Sequence, residues 1–330
     1  MALSSDEIIK REIIDHVGPI VGNFYARVFN EGSNDDQRLF SEGGLTFTHN
    51  GQDYGSCDCV YVREDNNSNE IAVLAIEGTD CLGRGSSGNA QYQRFHHALG
   101  AVKQGVIGIY YLRAGKHKVQ PDLYGMAYNA SQKFGTPYLI VQELSVIKKI
   151  LELMGSDLQQ LKKYINDYQQ KCYSIYLDKF NTLYKGDWNI FAKKRSTIIF
   201  NDHIVKYSSR NIRNFTDGSQ RAGHIAVGEM FLSRYFFPKK ELFYLWPRIT
   251  TDEVLTLDRT KGHDKEWSLL RNEPGVIIKT LDDIEDIPEN LKNYFFESRL
   301  KPITGENIKM WNTASIELHK LIETGKVTVR

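Results

Sequence analysis

The stretch "IAVLAIE" at 71–77 constrains the fold more than any other. It is almost wholly apolar, short, and bounded by the polar turn "DNNSNE" at 65–70 and the glycine-rich "GRGSSGN" at 83–89. Such a run reads as a central β-strand covered on both faces. It ends on a carboxylate, Glu77, and a buried charge without a partner is costly enough that a cation or a metal ion should stand near it.

The flanking segments extend this strand into a layered architecture. From Ser5 to about Asn30, apolar residues recur at spacings of three and four, which predicts an amphipathic helix with a break at Gly18-Pro19. "SNDDQRLF" at 33–40 predicts a second short helix. The runs 45–49 and 57–63 alternate around the turn residues Asn50-Gly51 and predict a hairpin. After the glycine loop, 89–102 predicts a helix and 106–112 a strand. Pro121 to Gly135 bound another helix, and "PYLIVQEL" is a further strand. The pattern predicts an α/β fold, a mixed central sheet flanked by helices, in a first domain over residues 1–150. Residues 145–184 read as helix broken at Gly155-Ser156, and 151–330 as a mainly helical second region.

Composition narrows the function classes. The chain has 330 residues, 41% hydrophobic and 25% charged, which suits a large core or two domains rather than a disordered tail. With a formal net charge of +1, any nucleic-acid surface must be local. No apolar run of about 18 residues offers a membrane span, and "MALSSDEIIKREII" lacks the order of a signal peptide. The expected location is cytoplasmic. Four cysteines fit a reducing compartment, and the spacing of Cys57, Cys59 and Cys81 beside His49 is a poor match to a zinc site. Small apolar strand residues are the plainer reading of these thiols.

A hairpin over 57–77 would bring Asp58 and Glu77 to one end of the sheet. Two acids in one small site raise each other's pKa unless a cation neutralises them, and a hard divalent ion such as Mg2+ does so with oxygen ligands and water. Gly78 leaves its carbonyl open to such an ion. The glycine-rich loop, with Arg84, Ser86, Ser87 and Asn89, would let a phosphate approach the backbone.

Asp58 in "GSCDCVYV", Glu77 in "LAIEGTD" and Gln91 in "NAQYQRF" resemble the PD-(D/E)xK nuclease superfamily, home of most type II restriction endonucleases. The last motif is similar to the glutamine helix of the lambda-type exonucleases. The resemblance covers residues 40–145. It implies a restriction-endonuclease-like fold, metal ligation by Asp58, Glu77 and the Gly78 carbonyl, and hydrolysis of phosphodiester bonds in double-stranded DNA. Thr79 stands where that family has lysine, and Cys57 where it has proline. The lysine's task would then fall to the following helix, with Gln91, Gln93, Arg94 and Lys103 as the residues to consider. The structural alternatives are a strand-end ion pair of Glu77 with Arg84 or Arg94, a solvated Asp58, and surface roles for Gln91 and Gln93. His96 and His97 are neighbours on a helix, so at most one faces the site.

Residues 185–248 carry twelve Lys and Arg against five Asp and Glu. Lys193, Lys194, Arg195, Arg210, Arg213, Gln220, Arg221 and His224 are the residue types that contact phosphates and base edges, and aromatic residues interleave with them. A solvated basic face is the alternative. Cutting both strands of a symmetric site calls for a homodimer. The expectation is a sequence-specific, Mg2+-dependent DNA endonuclease of the type II restriction kind, with a first rival in a nuclease-fold protein that binds DNA or RNA without cleaving it. A small-molecule hydrolase using Ser86 and Ser87 is a further alternative.

Overall fold

The computed structural model describes residues 5–28, 46–83, 89–92, 94–188 and 190–191, and beyond them 197–200, 203–207, 234–237, 239–246, 251–252, 269, 272–283 and 285–286. The chain divides into two compact units, Met1–Lys185 and Gly186–Arg330.

The first unit begins with α1 (Ser5–Val17), β1 (Ile20–Val21), β2 (Phe24–Val28), β3 (Thr46–His49), β4 (Gln52–Ser56), β5 (Cys59–Glu64) and β6 (Glu70–Thr79). A 3-10 turn (Asn89–Tyr92), α2 (Phe95–Lys103), β7 (Ile107–Leu112), α3 (Pro121–Phe134), β8 (Tyr138–Val141), α4 (Leu144–Ser156) and α5 (Leu158–Tyr184) complete it. Six strands form one mixed sheet in the order β1-β2-β5-β6-β7-β8. The first pairings, through β5 with β6, are antiparallel; β6 with β7 and β7 with β8 are parallel. The parallel pairs follow from helical crossovers, since α2 joins β6 to β7 and α3 joins β7 to β8. The fold is α/β with a mixed six-stranded sheet flanked by helices, as the apolar patterning predicts.

Covering both faces of β6 is what makes "IAVLAIE" so apolar. On one face, Ile9, Ile13 and Val17 of α1 join Ile147, Ile150 and Leu151 of α4 over Cys59, Leu74, Ile76 and Ile109. Phe95, Leu99 and Val102 of α2 are fully buried, as is Met126 of α3. Each such apolar side chain contributes about 1.5–3 kcal/mol when removed from water.

Two expectations need correction, and a third is not reached. The helix predicted to about Asn30 stops at Val17, and Phe24–Val28 is strand β2; "FYARV" buries alternate residues, a period of two inside what reads as a period of three to four. The hairpin around Asn50-Gly51 exists, but its second strand is β4, not 57–63, so β3 and β4 form a separate ribbon. The predicted helix at 33–40 lies outside the described residues.

The sheet-bearing unit also runs to Lys185 rather than 150, because α5 is part of it. Tyr176 of α5 packs on Gly125 of α3, Gln169 donates to the Ser131 hydroxyl at 2.8 Å, and Tyr168 donates to the Ile140 carbonyl at 2.9 Å. Beyond Leu158–Tyr184, which is helix α5, the regular elements described are mostly strands. In the second unit, β9 (Thr197–Phe200), β10 (His203–Tyr207), β11 (Glu241–Trp246) and β12 (Val276–Thr280) form a four-stranded sheet in the order β12-β11-β10-β9. "TIIF", "HIVKY", "ELFYLW" and "VIIKT" are rich in β-branched and aromatic residues, which suit strands.

Candidate active site

Register decides what stands at the end of β6. The β5–β6 hairpin turns through 65–69, where Asp65 accepts hydrogen bonds from the N–H groups of Asn67 and Asn69, both at 2.8 Å. Near the turn, Val62 lies opposite Ala72; after a one-residue shift, Tyr61 lies opposite Leu74 and Cys59 opposite Ile76. Val73 is the extra residue of a bulge. Asp58 lies just ahead of β5, and the same register carried one residue further would bring it level with Glu77. Without the bulge, Asp58 would face Ile76, so the irregularity aligns the two acids.

Both acids are buried: Glu77 is 1% exposed and Asp58 6%. Successive strand residues point to opposite faces, and the surroundings of Glu77 and Gly78 differ accordingly. Glu77 faces α2, with Arg94 Nη1 3.4 Å from Oε1 and His97 Nδ1 3.2 Å from Oε2. Gly78 faces α1, where a Cβ would collide with Ile9 Cγ2, so close helix packing requires glycine there. The Gly78 N–H donates to Asp58 Oδ2 at 2.8 Å, and Lys10 Nζ of α1 lies 3.9 Å from Oδ1.

Burial dominates the electrostatics at this point. Burial, and then the Glu77 carboxylate, push Asp58 up to about 7 against the opposing pull of the Gly78 N–H, Arg94 and Lys10. Burial disfavours a charged His97, yet Glu77, through its charge and a hydrogen bond, outweighs this and raises His97 above its ordinary value. Burial and then the charge of Glu77 push the Cys57 thiol well up, consistent with an apolar packing role. Among the described residues, no three His, Cys, Asp or Glu side chains gather into a metal cage.

The other predicted site residues divide sharply. Arg94 reaches the site with a side chain one-third exposed, whereas Gln91 does not serve the acids. Fully buried, Gln91 donates from Nε2 to the Lys118 carbonyl at 3.0 Å and accepts from the Gln120 N–H at 2.8 Å. That use of both ends of its amide corrects the catalytic assignment. Lys103 is likewise engaged elsewhere, hydrogen-bonded to the Tyr54 hydroxyl. Thr79 is half-buried, its carbonyl accepting from the Arg113 N–H at 3.1 Å, and its hydroxyl hydrogen-bonds Cys81. Gly78 touches Asp58 through its N–H. Asn89 opens the 3-10 turn. Gln93, Arg84, Ser86, Ser87, Lys193, Lys194, Arg195, Arg210, Arg213, Gln220, Arg221 and His224 lie outside the described residues.

Sequence reasoning missed Lys10, because nothing local ties the first helix to Asp58, and left His97 undecided between two neighbours. It also missed a second charged group beside the site: Arg113 Nε donates to Glu12 Oε1 at 2.8 Å, and its Nη1 lies 3.7 Å from Asp80 Oδ1. A motif-based signal existed only for the acids and the glutamine helix. No protein-family model matches the chain, and neither does any curated protein or solved structure.

Proposed function

We propose that the chain is a divalent-metal-dependent nuclease of the type II restriction kind, hydrolysing phosphodiester bonds in double-stranded DNA as a homodimer. The observation that carries this reading is the pair of buried acids at the ends of β5 and β6, where Asp58 feels the charge of Glu77 and is held near 7 despite the cations around it. Mg2+ fits these donors. It takes hard carboxylate oxygens and keeps several waters, so two protein carboxylates suffice without a larger cage. When bound, such an ion supplies an activated water and offsets the charge that develops on the phosphate.

The chain's own residues would hold and orient. Glu77 is fixed by β6 and Asp58 by the Gly78 N–H, and His97 braces Glu77 from the side away from Arg94. Arg94, anchored on Glu77 and one-third exposed, is suited to donate to a phosphate oxygen as charge grows on it. Threonine at 79 offers no positive charge, so Arg94 and Lys10 are the cations that take over this part of the work.

Thr79, together with the cations already on Glu77, favours a second reading, a protein that binds DNA without cutting it. Incubation of the purified chain with long unmethylated phage DNA separates the two. Discrete fragments with Mg2+, abolished by chelator and by Glu77→Gln, are expected of the nuclease. Intact DNA that is shifted in mobility in every lane would overturn the nuclease and favour the binder.

A further inference from the structure

We propose that the loop between β7 and α3, residues 113–120, is a preformed cradle for the sugar-phosphate backbone of duplex DNA, gripping it through Lys116 and Lys118. The proposal rests on the nuclease reading and names where the substrate strand is held. Its starting point is the task of Gln91. A fully buried side chain that bonds both the Lys118 carbonyl and the Gln120 N–H fixes a loop that would otherwise be free to move.

Further hydrogen bonds and close packing pin the same loop to the chain just past β6. The His117 N–H donates to the Leu82 carbonyl at 2.9 Å. Gly115 lies so close to the Leu82 backbone that a Cβ there would collide with its carbonyl, which only glycine avoids. The Arg113 N–H bonds the Thr79 carbonyl at 3.1 Å. The loop therefore emerges beside the carboxyl ends of parallel β6 and β7, the end at which Glu77 stands and where open α/β sheets take their ligands.

Charge complementarity names the occupant. Within "RAGKHKVQ" there is no acid, and Lys116 and Lys118 are exposed. Two acids at the flanks of the loop are already committed: Asp80 faces Arg113 at 3.7 Å, and Asp122 is buried, with the Tyr92 hydroxyl 3.4 Å from its Oδ2. Among the described residues, neither Lys116 nor Lys118 is in an ion pair. Two ammonium groups on a braced loop, beside a carboxylate pair, suit a polyanion whose phosphates recur along a strand. Bracing matters because a loop ordered in advance loses little entropy on binding.

The test is binding of a fluorescent DNA duplex by the full chain, followed by anisotropy in chelator so that no cleavage intervenes, across about 50 to 200 mM salt. Lys116→Ala/Lys118→Ala is expected to weaken binding about tenfold at the lower salt. It should also flatten the plot of log affinity against log salt by about 1.8, roughly 0.9 for each phosphate that is no longer neutralised. Lys148→Ala/Lys149→Ala, exposed lysines on α4, removes the same charge elsewhere and should leave the slope as it was. Binding by the wild type that the loop variant leaves unchanged, or that the α4 variant weakens equally, would overturn the cradle alone. No binding of duplex by the wild type at any salt would overturn the nuclease reading, and the cradle with it.

Discussion

An aspartate held near 7 ties folding to pH in the direction opposite to that of a stabilised surface acid. Asp65 and Glu70 illustrate the usual case: hydrogen bonds from Asn69 and from Arg27, respectively, hold them below the carboxylate range, so they favour the folded state more as pH rises. Asp58 is raised to about 7 by burial and by Glu77, above its ordinary value near 4 in the unfolded chain. Between those values, the folded protein keeps a proton that the unfolded chain has lost. The stabilising contribution is complete below about pH 4, falls as pH rises, and is gone above about pH 7, a loss on the order of 4 kcal/mol. Asp58→Asn cannot ionise and escapes this loss, while its amide can still accept from the Gly78 N–H. Urea unfolding at pH 4, 6 and 8, with no divalent ion added, should show the variant gaining on the wild type by a few kcal/mol, mostly between pH 4 and 7. A constant difference across the three pH values would mean that folding does not raise Asp58 above its ordinary value.

At the scale of elements, the packing of α1 on β6 is what brings Lys10 to Asp58, and it depends on a single missing side chain. A methyl group at 78 would overlap Ile9 Cγ2, with the Tyr111 ring and Asp58 Oδ2 close behind. Gly78→Ala should therefore cost about 1–3 kcal/mol of stability, the usual cost of overpacking, and Ile9→Ala about 2–5 kcal/mol through its cavity. The double variant should cost clearly less than the sum, because the new methyl occupies part of the space Ile9 leaves. Chemical denaturation of the four proteins checks this, and simple additivity would mean that the two residues do not touch. The same packing shows which features the sequence reveals. β6, β7, α3 and β8 are legible because short apolar runs and Pro and Gly boundaries are local signals. Asp58 and Glu77 are legible because their order and spacing follow the hairpin. Lys10 and Glu12 are not, since their partners Asp58 and Arg113 are distant in sequence and only packing joins them. The bulge at Val73 leaves no mark in a uniformly apolar run, and "FYARV" satisfies two periodicities at once. Gln91 stands out in the sequence as unusual while its task stays hidden, because a buried glutamine looks the same there whether it meets a substrate or a backbone.

At the scale of the whole chain, the two compact units make a claim about independent folding. The first unit closes only with α5, whose Leu161, Ile165, Tyr176 and Phe180 are buried. Removing α5 would uncover the α3 face around Gly125, on which Tyr176 packs, and would break the tyrosine pair Tyr128 and Tyr173, whose rings stack at 4.0 Å. It would also take away the Gln169 bond to Ser131, whose hydroxyl accepts from the Tyr138 N–H at 2.7 Å and so ties α3 to β8. Helix α5 ends where Lys185 adopts a left-handed conformation, a natural stop for the unit. Residues 1–185 alone should therefore unfold in one cooperative urea transition, while residues 1–150 should show a broad, non-cooperative loss of helical signal or fail to stay in solution. Circular dichroism across the urea range distinguishes these outcomes. A cooperative transition for 1–150 would show that α5 is an accessory rather than part of the unit. Because Asp58, Glu77, Arg94, His97 and Lys116 all lie before residue 185, a folded 1–185 would also retain the carboxylate pair and its neighbouring basic loop.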